Sequence, residues 1–384
     1  MKRILLCASR SSHILNFHLP YLASFKEQGC IVDVAAEGRI RHPLVDHSYD
    51  LRFVKNPLSP QNLSTVRQLT TLMRQHSYSL VCSNATLAGA AARSAAARLK
   101  EKRPYMVHIS HGYMFGRDNG IRSVLYRTVE KHLAGVTDAL VVMNREDYAL
   151  ARDYHLAEHL YFINGMGLCP QNFPTLSPQE TESLRRRLHV SDSTRLLLCV
   201  GELSGRKNQT LLLRAFDRLH RQHPDMMLLF AGNGKALAEC VDLTRRLELT
   251  HWVRFLGHQK DVNALYRSAD LLVSAAVMEG LPFNVMEALY CGLPVVASDI
   301  KGHHDLIHPG ENGLLFDLQA ADPVAAAARA MEQALFDPKL SVRLRSHALL
   351  DNRYTIGSVR PRLWQILTRQ TDEIKTEIPE EVYP

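Results

Sequence analysis

Arg195-Leu-Leu-Leu-Cys-Val-Gly-Glu-Leu-Ser-Gly-Arg-Lys-Asn-Gln209 sets the class of fold. An apolar run ends on a glycine, a short polar turn follows, and an amphipathic stretch continues to about residue 222. A run that is apolar at nearly every position predicts a strand covered on both faces. The helix after it carries the chain back to begin the next parallel strand. The same unit recurs along the chain. In the first half, strands are expected at 3–8, 30–35, 79–83, 104–109 and 138–143, with helices near 14–28, 62–76, 86–100, 119–133 and 145–155. In the second half, strands are expected near 195–201, 226–231, 252–256, 271–275 and 294–297, with helices near 207–222, 234–248, 261–267, 283–291 and 322–335. Between the halves, Asn164-Gly165, Gly167, Pro170, Pro174 and Pro178 break the alternation and read as a linker. The expectation is two doubly wound α/β domains joined near residues 170–190. The end of the chain is an amphipathic piece around Pro361–Leu367 followed by an acidic, proline-containing stretch expected to fray.

Composition narrows the partners. The 384 residues carry a formal charge of +7. Residues 1–165 hold 21 Lys and Arg against 13 Asp and Glu, and the remainder hold 25 against 26. All the excess positive charge therefore lies in the first half. That pattern fits an anionic membrane surface, a phosphorylated acceptor, nucleic acid or simply a well-solvated face. Nucleic acid fits least, because the basic residues are not interleaved with aromatics in any known binding motif. No apolar run approaches the roughly 18–20 residues of a membrane span. The apolar run after Met1-Lys2-Arg3 is too short for a signal peptide, and the seven cysteines are scattered without a Cys-x-x-Cys pair. Reduced core thiols in a cytoplasmic protein are the expectation.

Ligands of doubly wound sheets bind beyond the carboxyl ends of the strands. Four clusters of the second half fall there: Gly201 to Lys207, Gly232-Asn233-Gly234, Gly257-His258, and Glu279-Gly-Leu-Pro-Phe-Asn-Val-Met-Glu287. Arg206 and Lys207 are placed to neutralise a diphosphate. Gly280 permits close backbone approach, and Pro282 suits the first turn of a helix whose N–H groups face an anion. Glu287 falls about two turns along that helix, within reach of a second part of the same ligand. Two carboxylates beside a phosphate-binding helix end suggest a sugar nucleotide. Taken singly, each cluster also has a plain reading as a tight turn or a solvated helix face.

In combination and in this order, the clusters resemble the retaining glycosyltransferases of family 4, which have the GT-B fold. The resemblance rests on Gly201…Lys207, Phe255-Leu-Gly257, Leu265-Tyr266…Ala269-Asp270, the Glu279–Glu287 pair, Gly292-x-Pro294-Val-Val and Asn312-Gly313-Leu-Leu-Phe316. In the first half, Ser12-His13-Ile…Phe17-His18-Leu-Pro, His111-Gly112 and Glu130…Thr137-Asp138 look like the exopolysaccharide, capsule and O-antigen branch. The resemblance implies an acceptor-binding domain at 1–170, a linker at 171–190, a nucleotide-sugar-binding domain at 191–350, and a helical tail at 351–384 returning toward the first domain. The two domains of such enzymes face a central cleft.

By the same resemblance, Glu287 binds the ribose of a nucleotide-sugar donor, expected to be a UDP-sugar, and Glu279 binds the transferred sugar. Gly201, Asn233, His258, Gly280, Leu281 and Pro282 line the donor. Lys207 with Arg206 stabilises the departing diphosphate. His111 contacts the transferred sugar, and His13 and Asn84 belong to the acceptor side. The implied acceptor is an oligosaccharide or a lipid-diphosphate-linked saccharide, with peripheral contact at the inner membrane face and no nucleic acid. No Asp-x-Asp occurs, so neither a metal nor a cofactor is expected. Departures from the family pattern include Glu202 in place of a frequent Arg, and Ala276 in place of a frequent Ser. Two rivals stand beside this reading: a non-hydrolysing UDP-sugar 2-epimerase, which shares the fold, and, from another class, a catalytically silent sugar-nucleotide-binding subunit of a polysaccharide assembly.

Overall fold

A computed structural model describes residues 1–54, 59–118, 120–188, 190–191 and 193–370. The stretch expected to fray, 371–384, lies outside the described residues. The chain forms two compact units, one of Met1–Gly167 together with the chain from Ile356 onward, the other of Leu168–Thr355. Each is a parallel sheet with helices on its faces.

The strands of the first unit are β1 (Arg3–Arg10), β2 (Ile31–Glu37), β3 (His47–Asp50), β4 (Leu80–Asn84), β5 (Tyr105–Ile109), β6 (Ala139–Val142) and β7 (His159–Phe162). They lie in the order β3-β2-β1-β4-β5-β6-β7, all parallel. The order reverses between β1 and β4, so the crevice at their carboxyl ends is the switch point where such sheets bind ligands. The strands of the second unit are β8 (Arg195–Val200), β9 (Met226–Ala231), β10 (Val253–Gly257), β11 (Leu271–Ser274), β12 (Val295–Ser298) and β13 (Gly313–Phe316). Their order is β10-β9-β8-β11-β12-β13, again parallel, with its reversal between β8 and β11.

Burial follows the apolar runs. The central strands β4, β5 and β9 are buried throughout. Helix Gln209–His220 sets Leu212, Leu213, Phe216 and Leu219 against the second sheet, each at most 2 % exposed. Side chains of that size stabilise the fold by about 1.5–3 kcal/mol each when fully buried. Two strands carry no such signal. β3 reads His-Ser-Tyr-Asp and β7 His-Leu-Tyr-Phe, and both are edge strands, partly open to solvent, where the apolar run is not required; the edge strand β13, Gly-Leu-Leu-Phe, is apolar but only four residues long.

The single helix expected near 14–28 is two, Ser11–Phe17 and Leu19–Glu27, broken at His18. Pro20 explains the break: without an N–H it cannot extend the ladder of the first helix, but it fits the opening turn of the second. The first boundary between units falls between Gly167 and Leu168. The residues expected as a linker, 171–190, therefore lie within the second unit. There Ser177 and Glu180 form a reciprocal cap on helix Pro178–Arg187. Arg185 fastens that helix inward by donating to the carbonyls of Ser268 (3.0 Å) and Thr194 (2.7 Å). Past Thr355 the chain rejoins the first unit, where helix Ile356–Thr368 packs Trp364 on Phe25, with ring centroids 4.7 Å apart. Among the described residues, no helix is long and apolar enough to cross a membrane.

Candidate active site

The parallel strands of the second sheet bring the loops after β8, β9, β10, β11 and β12 to one edge. The loop after β8 carries Arg206 and Lys207, and the loop after β11 carries Glu279, so the three flank the switch point. A backbone bond from the Val277 N–H to the Arg206 carbonyl (2.9 Å) ties these two loops together. Their side chains converge on one atom. Glu279 Oε1 lies 2.7 Å from Lys207 Nζ and 2.8 Å from Arg206 Nη1. Arg206 also donates to the Met278 carbonyl at 2.8 Å, which fixes its guanidinium. Burial pushes the Glu279 carboxyl up, but the charges of Lys207 and Arg206 outweigh it and hold the group below its usual range. Glu279 is therefore an anion inside a cationic pair.

Two glycines make the backbone approaches that shape this edge. A Cβ on Gly232 would lie 1.9 Å from the Gly201 carbonyl oxygen, so the β8 and β9 loops meet only because residue 232 is glycine. A Cβ on Gly302, in the loop after β12, would lie 2.4 Å from the Gly280 carbonyl oxygen. Lys207 folds over Gly201: a Cβ there would sit 3.4 Å from Lys207 Cε. Leu281 and Pro282 are buried beneath the same loop, while Asn233 and His258 stand exposed on the loops after β9 and β10. Pro282 is the residue before helix Phe283–Tyr290 rather than in its first turn, and with φ of −76° it makes no side-chain cap. Asn284 anchors the helix by donating to the Val200 carbonyl at the end of β8 (3.1 Å).

The helix begins at Phe283, so Glu287 lies about one turn along it, where it accepts a 2.7 Å hydrogen bond from the Tyr266 hydroxyl. Burial dominates here and raises the carboxyl to about 7, although Tyr266 and Lys207 oppose the rise. The two carboxylates of one segment are thus split. Glu279 stays ionised, and Glu287 titrates near neutrality in the free protein. Because its folded pKa lies above the unfolded value of 4.5, Glu287 contributes stability below pH 4.5 that is lost as pH rises through 7. Glu287→Gln keeps an acceptor for Tyr266 and should stabilise the ligand-free protein at pH 8 by about 2–3 kcal/mol, after discounting for partial exposure, but hardly at pH 4.5. Urea denaturation at both pH values checks this; an equal change at both would remove the assignment.

Two residues of this edge carried no assignment from sequence. Tyr266 is 1 % exposed and positions Glu287 from a helix more than twenty residues earlier. His303, fully buried behind Gly302, lies 2.7 Å through Nδ1 from the Ser298 carbonyl oxygen. Burial lowers it to about 4, and it feels the charges of Glu279 and Lys207.

At the carboxyl edge of the first sheet, His13 follows β1, Asn84 ends β4 and His111 follows β5. The structure brings all three together. His111 Nε2 is 3.1 Å from His13 Nε2 and 3.2 Å from Asn84 Oδ1. Asn84 is turned by donating its Nδ2 to the Cys7 carbonyl at 3.3 Å, which leaves Oδ1 toward the imidazole. His18 joins them from the break between the first two helices. Burial lowers His13 to about 4 and His18 to about 3, and holds His111 well below the ordinary histidine value, so the three rings are neutral at physiological pH.

A switch-point site in each of two parallel-sheet units, built from Lys207, Arg206 and two glutamates in the second and from histidines and Asn84 in the first, defines a class. The chain belongs to the group 1 (family 4) glycosyltransferases, with the GT-B fold. Residues 180–350 match the family model for glycosyl transferases group 1, and residues 21–162 match a glycosyl transferase 4-like domain. The chain is 33 % identical to the putative glycosyltransferase EpsD of Bacillus subtilis, over 89 % of this chain and 90 % of that protein. It is 23 % identical to the UDP-Gal:alpha-D-GlcNAc-diphosphoundecaprenol alpha-1,3-galactosyltransferase of Escherichia coli, over 73 % of this chain and 75 % of that one. Among solved structures it resembles HepE of Anabaena in complex with UDP-glucose, with a TM-score of 0.73, 17 % identity, and 96 % and 100 % of the two chains covered.

Proposed function

We propose that this glycosyltransferase moves a hexose or N-acetylhexosamine, with retention of configuration, from a UDP-sugar to a lipid-diphosphate-linked saccharide during assembly of a surface polysaccharide. One observation carries the reading: Lys207 and Arg206 converge on the ionised Glu279 at the β8–β11 switch point, with Glu287 about one turn along the adjoining helix. Glu287 receives the ribose hydroxyls, Glu279 the hydroxyls of the transferred sugar, and the backbone at Gly280 and Leu281 lies by the sugar or diphosphate oxygens. As the bond to the anomeric carbon breaks, negative charge grows on the diphosphate, and Lys207 with Arg206 stabilises it. The leaving phosphate then takes the acceptor's proton on the same face, so no protein nucleophile is needed. Cationic side chains supply the role of a divalent ion, making transfer metal-independent. Arg206 makes good the cation that Glu202 omits.

The relatives' names support a saccharide acceptor on a diphosphate lipid and a uridine nucleotide donor. A surface in the first unit fits the lipid. Helix Ile121–Ala134 exposes Ile121, Val124, Leu125 and Val129 on one side, and Met114, a few residues earlier in the chain, is exposed as well. Arg122 and Lys131 stand exposed on the same helix. An apolar stripe flanked by cations matches the interface of an anionic bilayer. His13 and Asn84 serve the acceptor, and His111 contacts the transferred sugar.

The test presents UDP-sugars to the full chain with lipid-diphosphate acceptors in anionic vesicles. Transfer from a UDP-hexose or UDP-N-acetylhexosamine, undiminished by EDTA and accompanied by co-sedimentation with the vesicles, is expected. Epimerised donor without an acceptor requirement would overturn the transferase reading. Loss of transfer in EDTA would overturn its metal-free part, and a protein left in the supernatant its membrane part.

A further inference from the structure

His13, His18 and His111 come from three separate segments of the first unit, yet each places one ring nitrogen so that all three lie within 4.8 Å of one another. The 3.1 Å between the Nε2 atoms of His13 and His111 is close to the roughly 3.3 Å separating two nitrogens on a tetrahedral zinc ion at 2.0–2.1 Å. His18 is 2 % exposed, and its Nε2 has no hydrogen-bond partner among the described residues. A buried imidazole nitrogen left without a partner costs free energy of order 1–3 kcal/mol, unless something else occupies its lone pair. His13 and His111 are only half-buried, so the cluster is reachable from solvent.

We infer that these three histidines form a binding site for a transition-metal dication of the zinc class. The cluster contains no carboxylate or thiolate, so its ligand softness suits Zn²⁺, Co²⁺ or Ni²⁺ and not Mg²⁺ or Ca²⁺. Three imidazoles leave a fourth position, toward the open side, for water or an anion. The Nε2 proton shared between His13 and His111 moves to Nδ1 of its ring when the ion binds, and the ion replaces the hydrogen bond. The Cys7 carbonyl, through Asn84, holds one wall of the site in place.

This site lies apart from Lys207 and Glu279 in sequence and unit, and transfer does not require it. On the function proposed above, an ion on His111 takes that nitrogen from the transferred sugar, so zinc inhibits transfer and a chelator restores it. Binding itself stands independently of that function.

The test is titration of the full chain with Co²⁺ alone, followed in the visible region. One equivalent should give the intense d–d bands of four-coordinate cobalt, and Zn²⁺ should abolish them. His13→Ala and His111→Ala should lose the bands while keeping the far-ultraviolet circular dichroism of wild type. His18→Gln repeats the test at the buried ligand. His304→Ala, on the other unit, should retain them. The proposal is overturned by absence of four-coordinate bands in wild type, or by bands that persist in His13→Ala and His111→Ala, which would mean adventitious surface binding.

Discussion

Lys207→Ala should lower turnover by about 10²–10³-fold, the usual effect of removing one preorganised group that meets developing charge. The argument rests on placement. Lys207 Nζ is 2.7 Å from Glu279, and its side chain is largely buried, where solvent screens charge poorly. A bound diphosphate carries its charge before reaction as well as after. What changes along the reaction is the extra charge arriving on the leaving oxygen. The loss should therefore fall on turnover, while the dissociation constant of the UDP-sugar changes by less than about tenfold. Arg206 remains beside Glu279 in the variant, so the carboxylate keeps one cation and the loop keeps its fold. Single-turnover transfer measures this. A rate equal to wild type would remove Lys207 from the mechanism.

The second large effect concerns folding. Arg93 is fully buried and pairs bidentately with Glu130, Nη1 to Oε2 at 2.7 Å and Nη2 to Oε1 at 2.8 Å. Burial raises the Glu130 carboxyl, yet Arg93 outweighs it and keeps the group below its ordinary value. Glu130→Ala strands a guanidinium in the core of the first unit, whose only other bond among the described residues is from Nε to the Gly89 carbonyl at 3.1 Å. The expected loss is about 3–5 kcal/mol, a large share of the roughly 5–15 kcal/mol of a typical domain. Joining Arg93→Met to Glu130→Leu should recover most of it, because the cost lies in the orphaned charge and not in the missing contact. Denaturant melts of the single and double variants check this. A double variant as unstable as Glu130→Ala would place the effect in packing instead.

The fold was legible where strands are central. Runs such as Leu196–Val200 and Met226–Ala231 are apolar at every position because both faces are covered. It was illegible at β3 and β7, whose outer edges face solvent and so place little demand on the residues, and at β13, whose apolar Gly-Leu-Leu-Phe is too short to stand out as a strand. At the second sheet, Gly201, Lys207, Glu279 and Glu287 stood out through turn glycines and charge at strand ends, features that act locally. Tyr266 and His303 did not, because a tyrosine or histidine near a buried strand has an ordinary packing explanation, and only the fold reveals what it faces. The Arg93–Glu130 pair spans 37 residues and left no local trace. His18 shows the same limit, since the pattern near 14–28 reads as one helix and the meeting of His18 with His111 depends on the order of β1, β4 and β5.

The central claim is that Glu287 holds the nucleotide end of the donor. Calorimetric titration of UDP into the wild-type protein and into Glu287→Ala tests it most directly. Losing hydrogen bonds from ribose hydroxyls to a carboxylate should weaken UDP binding by about 10- to 100-fold. Equal affinity for UDP in the two proteins would contradict the account.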